Sequence, residues 1–334
     1  LSRTGESRIR VGVIGLGRLW EARHKPALAR LRDHFEVVAL YDQVGRRAEL
    51  EARQLGCLAA RGLTELVESP EVDAVFLLTP QWFGLHPVVL CLDADKAIYS
   101  ALPMASYPDE VEAIAARVEG RSAPFMTEMP RRFYPVTLRL RELLATSLGR
   151  PRLIVAQTRL HGFDRYGEPG PTRQLAPATL LIDPGCNLID WCRFLTGEEP
   201  AEIRGEAATL LTSTESDWGP DYQQVHLRFP SGTAASLTMM RHHHFAWGDA
   251  GQFLPQPGIQ VYAERGAAWL EMPDRIQWSD DSGCHEERLP MEPSVGERLA
   301  AQFARLMRGE PSLAPTFADA LAVSRLVRGL GPLS

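Results

Sequence analysis

The sequence predicts an α/β fold: an N-terminal domain with a parallel, doubly wound sheet, then an α+β domain on a large, mostly antiparallel open-faced sheet. Three observations predict it. Up to about residue 128, short and almost wholly apolar runs alternate with stretches of helical spacing, as in a parallel sheet covered on both faces. After about Arg131 the strand-like segments alternate apolar with polar residues and are separated by turns such as Pro230-Ser231-Gly232, as in an antiparallel sheet. The 334 residues exceed one ordinary core and suit two domains.

In chain order, Ile9–Ile14 reads as a buried strand ending in the turn Gly15-Leu16-Gly17, and Arg18 to Leu31 as the helix that follows. Phe35–Tyr41 is a second strand ending on Asp42, and residues 46 to 55 are helical. Val72–Leu78 is a strand that stops at Thr79-Pro80; His86–Ala94 and Pro108–Val118 are helices around the strand Ala97–Ser100, and Phe125–Thr127 is a last short strand. A helix over Val136–Leu144 leads into alternating segments at Leu153–Leu160, Gln223–Phe229, Ala234–Met240, Gly258–Ala263 and Ala267–Met272. The helix Leu188–Leu195 interrupts them, and Glu297–Met307 and Phe317–Val327 close the chain. The domains are expected at residues 8–128 and 129–314, with a C-terminal helix at about 315–330 packing back on the first.

Composition excludes several classes. With 45% hydrophobic and 23% charged residues the chain is an ordinary globular protein. A net charge of −6 without any block of like charge argues against nucleic acid as a partner. No apolar run reaches the roughly 18 residues of a membrane span, and no signal peptide opens the chain; Leu1–Ser7 reads as a disordered leader. The five cysteines are scattered, odd in number and without a Cys-x-x-Cys pair, which fits a reducing cytoplasm. No metal site is expected, since no ligand spacing supports one.

A glycine turn between a strand and a helix is the cradle of a dinucleotide. The first glycine allows the turn, the second lets the backbone approach the pyrophosphate, and the phosphates sit on the helix N-terminus. Gly15 and Gly17 supply these two, with Arg18 and Leu19 opening the helix. The third glycine position holds Trp20, which either widens the turn through an inserted residue or fills space the pyrophosphate needs. Asp42, 25 positions after Gly17, closes the next strand, where a carboxylate accepts hydrogen bonds from the adenosine ribose. That favours NAD, although Arg46 and Arg47 keep NADP open, and a plain turn or cap is the alternative role of Asp42.

The order of motifs resembles the glucose–fructose oxidoreductase/inositol dehydrogenase (Gfo/Idh/MocA) family over nearly the whole chain. Gly12-Val13-Ile14-Gly15-Leu16-Gly17-Arg18, followed by His24-Lys25-Pro26-Ala27-Leu28, is similar to the family's first strand, turn and helix, with one residue inserted near Trp20. Asp73 to Pro80 with His86 resembles the Thr-Pro-Asn…His loop beside the cofactor, Gln81 standing for Asn. Pro130-Arg131-Arg132-Phe133-Tyr134-Pro135 resembles the Asn-Arg-Arg-Phe-x-Pro entry to the substrate domain. Asp183-Pro184-Gly185-Cys186-Asn187-Leu188-Ile189-Asp190 resembles the Asp-x-Gly-x-His-x-x-Asp helix.

The resemblance implies a cofactor site reaching Thr79, Pro80, Gln81, His86, Ala101, Leu102 and Pro103, and a carbinol carbon of a sugar-like or polyol-like substrate. It implies subunits paired through the open sheet, as a homodimer or homotetramer. It also implies that a lysine of a Glu-Lys-Pro motif and the helix histidine do the proton work, because hydride leaves a carbinol carbon only as its hydroxyl proton is taken. Both are replaced here. Leu102 stands for the lysine, Ala101 for the glutamate, and Asn187 for the histidine. Leucine carries no proton, and asparagine orients a hydroxyl without deprotonating it.

Asp183 is the best surviving base, its alternative being an acid that caps the helix. Asp190, two turns on, reads as structural. His242 follows a strand with His243 and His244 and is a candidate relocated acid/base. His161, Asp164, Arg165 and Tyr166 form a polar loop with substrate-contact candidates. Cys186 reads as buried, and Trp82-Phe83 as packing in the Thr-Pro loop. Two functions follow: an NAD(P)-dependent oxidoreductase acting on a sugar-like or cyclitol-like substrate with an altered acid/base set, or a catalytically inactive dinucleotide- or sugar-binding protein of the same fold. Redox-neutral chemistry on held NAD is a third.

Overall fold

The computed structural model describes residues 7–79, 83–104, 107–161, 182–208, 222–242 and 258–330. Packing divides the chain into two units. The first takes the residues up to Glu128 together with Glu292–Ala322; the second takes Met129–Met291 and the residues from Val323 on.

The first unit is a six-stranded parallel sheet in the order β3-β2-β1-β4-β5-β6. Its strands are β1 (Ile9–Ile14), β2 (Phe35–Tyr41), β3 (Leu58–Ala59), β4 (Ala74–Leu77), β5 (Ala97–Ser100) and β6 (Phe125–Thr127). Every residue of β4, β5 and β6 is buried, which is why these runs lack alternation. The order turns back between β1 and β4, the switch point at which ligands bind beyond the carboxyl ends of the strands. β3 and α3 (Leu63–Val67) are too short to show a period in sequence and were not anticipated.

The helix after β1 is irregular in one place. Trp20–His24 form a π-helical turn that runs into α1 (Lys25–Arg30), with Lys25 N–H donating to the carbonyl of Trp20, five residues back. A π turn holds one residue more than an α turn, so the insertion is absorbed inside the helix rather than in the glycine turn. Trp20 is buried, and its indole N–H donates to Glu51 on α2 (Gly45–Leu55) at 3.2 Å. Lys25 closes on the same carboxylate at 2.7 Å.

The domain boundary differs from the expected one. α8 (Val295–Met307), placed by sequence in the second domain, packs with the first unit. The reason is its apolar stripe: Leu299, Ala300, Phe303 and Ala304 are buried, and Phe303 stands edge-on to Phe76 and Tyr99 of the parallel sheet. Ser294 caps the helix and Glu297 returns the bond, a capping box legible in Ser-x-x-Glu. At the start of α9 (Phe317–Gly329), Phe317 lies against Phe125 of β6.

The second unit is an eight-stranded sheet in the order β14-β13-β12-β11-β7-β10-β9-β8. All its pairs are antiparallel except β7 (Pro151–His161) with β10 (Ala234–His242). The other strands are β8 (Glu202–Ala208), β9 (Tyr222–Arg228), β11 (Gly258–Ala263), β12 (Gly266–Glu271), β13 (Arg275–Asp280) and β14 (Gly283–Arg288). β8, β13 and β14 were not anticipated. β14 has no large apolar residue; its inward side chains are His285, stacked on Trp278, and Glu287, which pairs with Arg139 of α6 (Pro135–Leu143) at 2.7 Å.

α7 runs from Ile182 to Thr196, six residues earlier than its apolar spacing suggests. Pro184 lies in its first turn, where a missing N–H costs nothing. Gly185 sits where a Cβ would come within 2.7 Å of the Met239 sulfur on β10, so the helix packs close to the sheet. Asp190, almost wholly buried, takes two bonds from Arg132 at 2.8 and 2.5 Å and a third from Arg193 at 3.3 Å. Trp191 N–H donates to Thr137 at 3.1 Å. Asp190 is thus a structural acid, clasping α7 to the Pro130–Phe133 turn.

A buried polar group in the first unit couples its stability to pH. His24 is fully buried, edge-on to Phe76 and Tyr99, and 3.2 Å from Glu128 without the alignment of a hydrogen bond. Arg23 already pairs with that carboxylate, so a second cation there is in excess. Burial, reinforced by Arg23, pushes the imidazole down to about 3 from 6.5. The unfolded chain therefore binds a proton that the folded one refuses. The stability from neutral His24 is complete above pH 6.5 and is lost as pH falls from there toward 3, by at most about 1.4 kcal/mol per pH unit. Denaturant titrations at pH 7, 6 and 5 are expected to show falling stability, and His24→Gln a shallower fall.

Candidate active site

β1 ends at Ile14, and the chain turns at Gly15 with φ +98°. A Cβ there would lie 2.7 Å from the carbonyl oxygen of Leu78 and 3.0 Å from Thr79 N, so only glycine fits. The turn is then fixed from the other side: Leu16 N–H donates to Asp42 Oδ2 at 2.8 Å, and Gly15 N–H to the Tyr41 carbonyl at 2.9 Å. Asp42 Oδ1 accepts from Val44 N–H at 2.9 Å, and Arg47 lies 3.3 Å from both carboxylate oxygens. Asp42 is buried. At the end of β2 it holds the turn, the role the sequence offered as the alternative to binding ribose.

Gly17 has nothing within 4 Å of where a Cβ would stand, leaving open space beside the helix start. Arg18 is exposed and Leu19 half-buried in that first turn, and Trp20 points into the core instead of the turn. Thr79, beyond β4, is buried with its hydroxyl unpartnered among the described residues, and Thr79 N is the atom nearest a Gly15 Cβ after Leu78. An orphaned hydroxyl beside an open glycine turn fits a polar ligand arriving at the switch point. The residues present fit NAD: a backbone cradle at Gly15 to Leu19, an acid at the ribose position and a free hydroxyl at the end of β4.

Around the remaining cofactor candidates the structure is specific. Leu102 is buried, its N–H donating to the Ser100 hydroxyl at 3.2 Å, with Ala101 and Pro103 half-buried on either side. His86 opens α4 (His86–Asp93) and is exposed. Pro80, Gln81 and Trp82 lie outside the described residues. So do Asp164, Arg165, Tyr166, His243 and His244.

In the second unit, Asn187 is half-buried on α7, between the buried Cys186 and Leu188. Asp183 falls in the first turn of that helix and His242 at the end of β10 beside His161, but the side chains of all three lie outside the described residues. Glu51, which sequence reasoning missed, anchors Trp20 and Lys25; helix spacing from Ala48 and Ala52 could have placed it near the inner face of α2. Arg47, named in the sequence with Arg46 as a group able to reach a ribose phosphate, lies over Asp42.

A six-stranded parallel sheet with this turn at its switch point defines a dinucleotide-binding oxidoreductase domain. The first unit matches the model of the oxidoreductase family with NAD-binding Rossmann fold, GFO_IDH_MocA, over residues 9–129, and the GFO/IDH/MocA C-terminal domain matches residues 137–269. The chain belongs to the Gfo/Idh/MocA family, an oxidoreductase family with an NAD-binding Rossmann fold. It is 26% identical over 299 residues to inositol 2-dehydrogenase of Rhizobium meliloti, covering 89% of this chain and 86% of that one. It is 24% identical over 278 residues to 2,7-anhydro-N-acetylneuraminate hydratase of Escherichia coli, covering 79% and 68%. Its fold matches an NAD-binding oxidoreductase from Klebsiella pneumoniae with a TM-score of 0.82 at 20% identity, covering 97% and 96% of the two chains.

The two glycines have separable roles. Gly15→Ala is expected to destabilise the fold by at least about 1–3 kcal/mol, through the positive φ and the contact with the Leu78 carbonyl. Gly17→Ala is expected to unfold at wild-type denaturant concentration yet bind NADH at least several-fold more weakly, since its methyl enters space left for the ligand. Paired denaturation and NADH-fluorescence titrations separate the two.

Proposed function

We propose that this chain is an NAD-dependent oxidoreductase acting at a carbinol carbon of a sugar-like or cyclitol-like substrate, with its acid/base set moved off positions 102 and 187. The supporting observation is the intact cradle: Gly15 pressed on the end of β4, Leu16 held by Asp42, and the unpartnered Thr79 hydroxyl beyond it. When bound, the nicotinamide accepts or donates hydride. The protein's own part is to hold the dinucleotide, orient the carbinol and take its proton. Leu102 cannot take that proton, and Asn187 can only orient a hydroxyl. We assign the proton to the carboxyl of Asp183 on α7, with His242 as the second candidate.

The same two substitutions support a second reading, a dinucleotide- or sugar-binding protein without turnover. A relative that bears the name of a hydratase keeps redox-neutral chemistry on NAD in view as a third. A panel of polyols, cyclitols, sugars and sugar acids offered with NAD decides among them. The oxidoreductase is expected to build up reduced-nicotinamide absorbance with at least one class, and Asp183→Asn to lower that rate by about a hundredfold or more, the scale of a lost general base. NAD binding without product from any of the panel favours the binding protein. NAD that co-purifies while substrate changes with no net reduction favours the redox-neutral enzyme.

We also infer a homodimer or homotetramer in the cytoplasm. The scattered cysteines suit a reducing compartment, and no helix among the described residues is long and apolar enough to cross a membrane. The outer face of the eight-stranded sheet leaves Leu153, Tyr262 and Trp269 more than a third exposed on three adjacent strands, with Val155 beside them. Aromatic side chains grouped this way are more apolar than a lone monomer needs. Sedimentation is expected to show a dimer or larger, and Trp269→Glu to shift it toward monomer; a monomeric wild type at micromolar concentration removes this inference.

A further inference from the structure

The winding of the helix that follows the cradle is held by one buried carboxylate. Pro26 has no N–H to offer the Ala22 carbonyl four residues back, and a proline ring crowds such a carbonyl, so the turn ahead of it opens. It opens into the π turn Trp20–His24, closed by the bond from Lys25 N–H to the carbonyl of Trp20. The same two residues are joined a second time, through their side chains. Glu51 Oε1 accepts from the Trp20 indole at 3.2 Å, while Lys25 Nζ reaches Oε1 at 2.7 Å and Oε2 at 3.0 Å. Trp20 and Glu51 are buried, and Lys25 is half-buried beside them.

This clasp is selective for the π turn. In an α-helix two residues five apart point about 140° from each other around the axis, away from any shared partner. A π turn brings the fifth residue back over the first. Glu51 therefore meets both ends of the turn only when it is wound this way, and it favours this winding over an α turn with one residue fewer. The cradle feels the difference. Glu21 N–H donates to the Gly17 carbonyl at 3.1 Å, so Gly17, Arg18 and Leu19 are wound directly onto Trp20 and Glu21. Losing one residue from the turn would rotate them by about 100° against the rest of the helix. Their amides would then swing away from the open space beside Gly17.

We propose that Glu51, acting through Trp20 and Lys25, is a positioning residue for the dinucleotide: it sets the affinity of the cradle without touching the ligand. The inference rests on the cofactor reading of the cradle and adds the group that keeps its amides aimed. Asp42, ahead of α2, holds the turn at Leu16, and Glu51, within α2, holds it at Trp20. The bond to Glu51 also raises the Lys25 pKa, which keeps the clasp charged at neutral pH.

The test pairs two measurements on the full chain: NADH titration by fluorescence, and hydrogen exchange of the amides of residues 16–20 without cofactor. Glu51→Ala is expected to raise the NADH dissociation constant by about tenfold or more, the scale of a lost preorganised contact, and to speed exchange at residues 16–20. Glu51→Gln keeps an acceptor for the indole and loses the charge for Lys25; it is expected to show a smaller loss and serves if Glu51→Ala does not fold. Ala52→Gly destabilises the same helix without touching the clasp and is expected to leave NADH affinity within about twofold. Lys25→Met added to Glu51→Ala is expected to cost no more than the larger single change, because the two act as one unit. NADH affinity unchanged in the Glu51 variants overturns the proposal, as does a loss that Ala52→Gly reproduces. If the wild type binds no NADH, the cofactor reading fails; unchanged exchange at residues 16–20 in the Glu51 variants then overturns the positioning role separately.

Discussion

Gly15 brings the end of β1 so close to β4 that the carbonyl of Leu78 occupies the place of a side chain. The rest of the cofactor site depends on that approach. It sets the exit angle of the turn, and the exit angle lets the amide of Leu16 meet Asp42 across 26 residues of sequence. Because the carboxylate is buried, this bond is charge-assisted in a region of low dielectric, and it ties the ends of β1 and β2 together where the sheet itself has stopped. The turn is thus rigid before any ligand arrives, and little of the binding energy is spent on ordering it.

An inserted residue next to such a turn ought to disturb it. Here Trp20–His24 form a π turn, which holds one residue more than an α turn, and the glycine turn before it keeps its bonds. The large side chain at the third glycine position is then rotated into the core. An indole needs a hydrogen-bond partner when buried, and Glu51 supplies it; a buried carboxylate needs a cation, and Lys25 supplies that. The departure from the usual glycine pattern therefore comes with a second polar layer beneath the cradle.

The fold was legible wherever burial dictates residue type. β1, β2, β4 and β5 are nearly continuous apolar runs because helices cover both faces of the sheet, and the turn after β1 announces itself through Gly15. Legibility failed where polar partners replace apolar ones. β14 packs inward through His285 and Glu287, and neither has a hydrophobic period. α8 was assigned to the wrong unit since its stripe of Leu299 and Phe303 says only that it packs, not on which sheet. At the site, Gly15, Gly17 and Asp42 could be named from spacing, and the bonds that define Asp42's condition could not. Those bonds come from the amides of Leu16 and Val44, which every residue except proline possesses, and from an arginine among 34.

The deeper separation is between holding a dinucleotide and using it. Holding is done by backbone amides, a buried acid and a hydroxyl, groups that a sequence can keep while much else drifts. Use requires a titratable group at one point, and neither Leu102 nor Asn187 is titratable. Leu102 is no loose remnant: it is buried, and its N–H is bound to Ser100, so the segment has settled around an apolar residue. On α7 the Asp190–Arg132 clasp positions the helix that carries Asn187. A buried ion pair of this kind is costly to keep without a purpose, because similar apolar packing is often as stable. The pair fixes the placement of α7, the helix that carries Asp183 and Asn187.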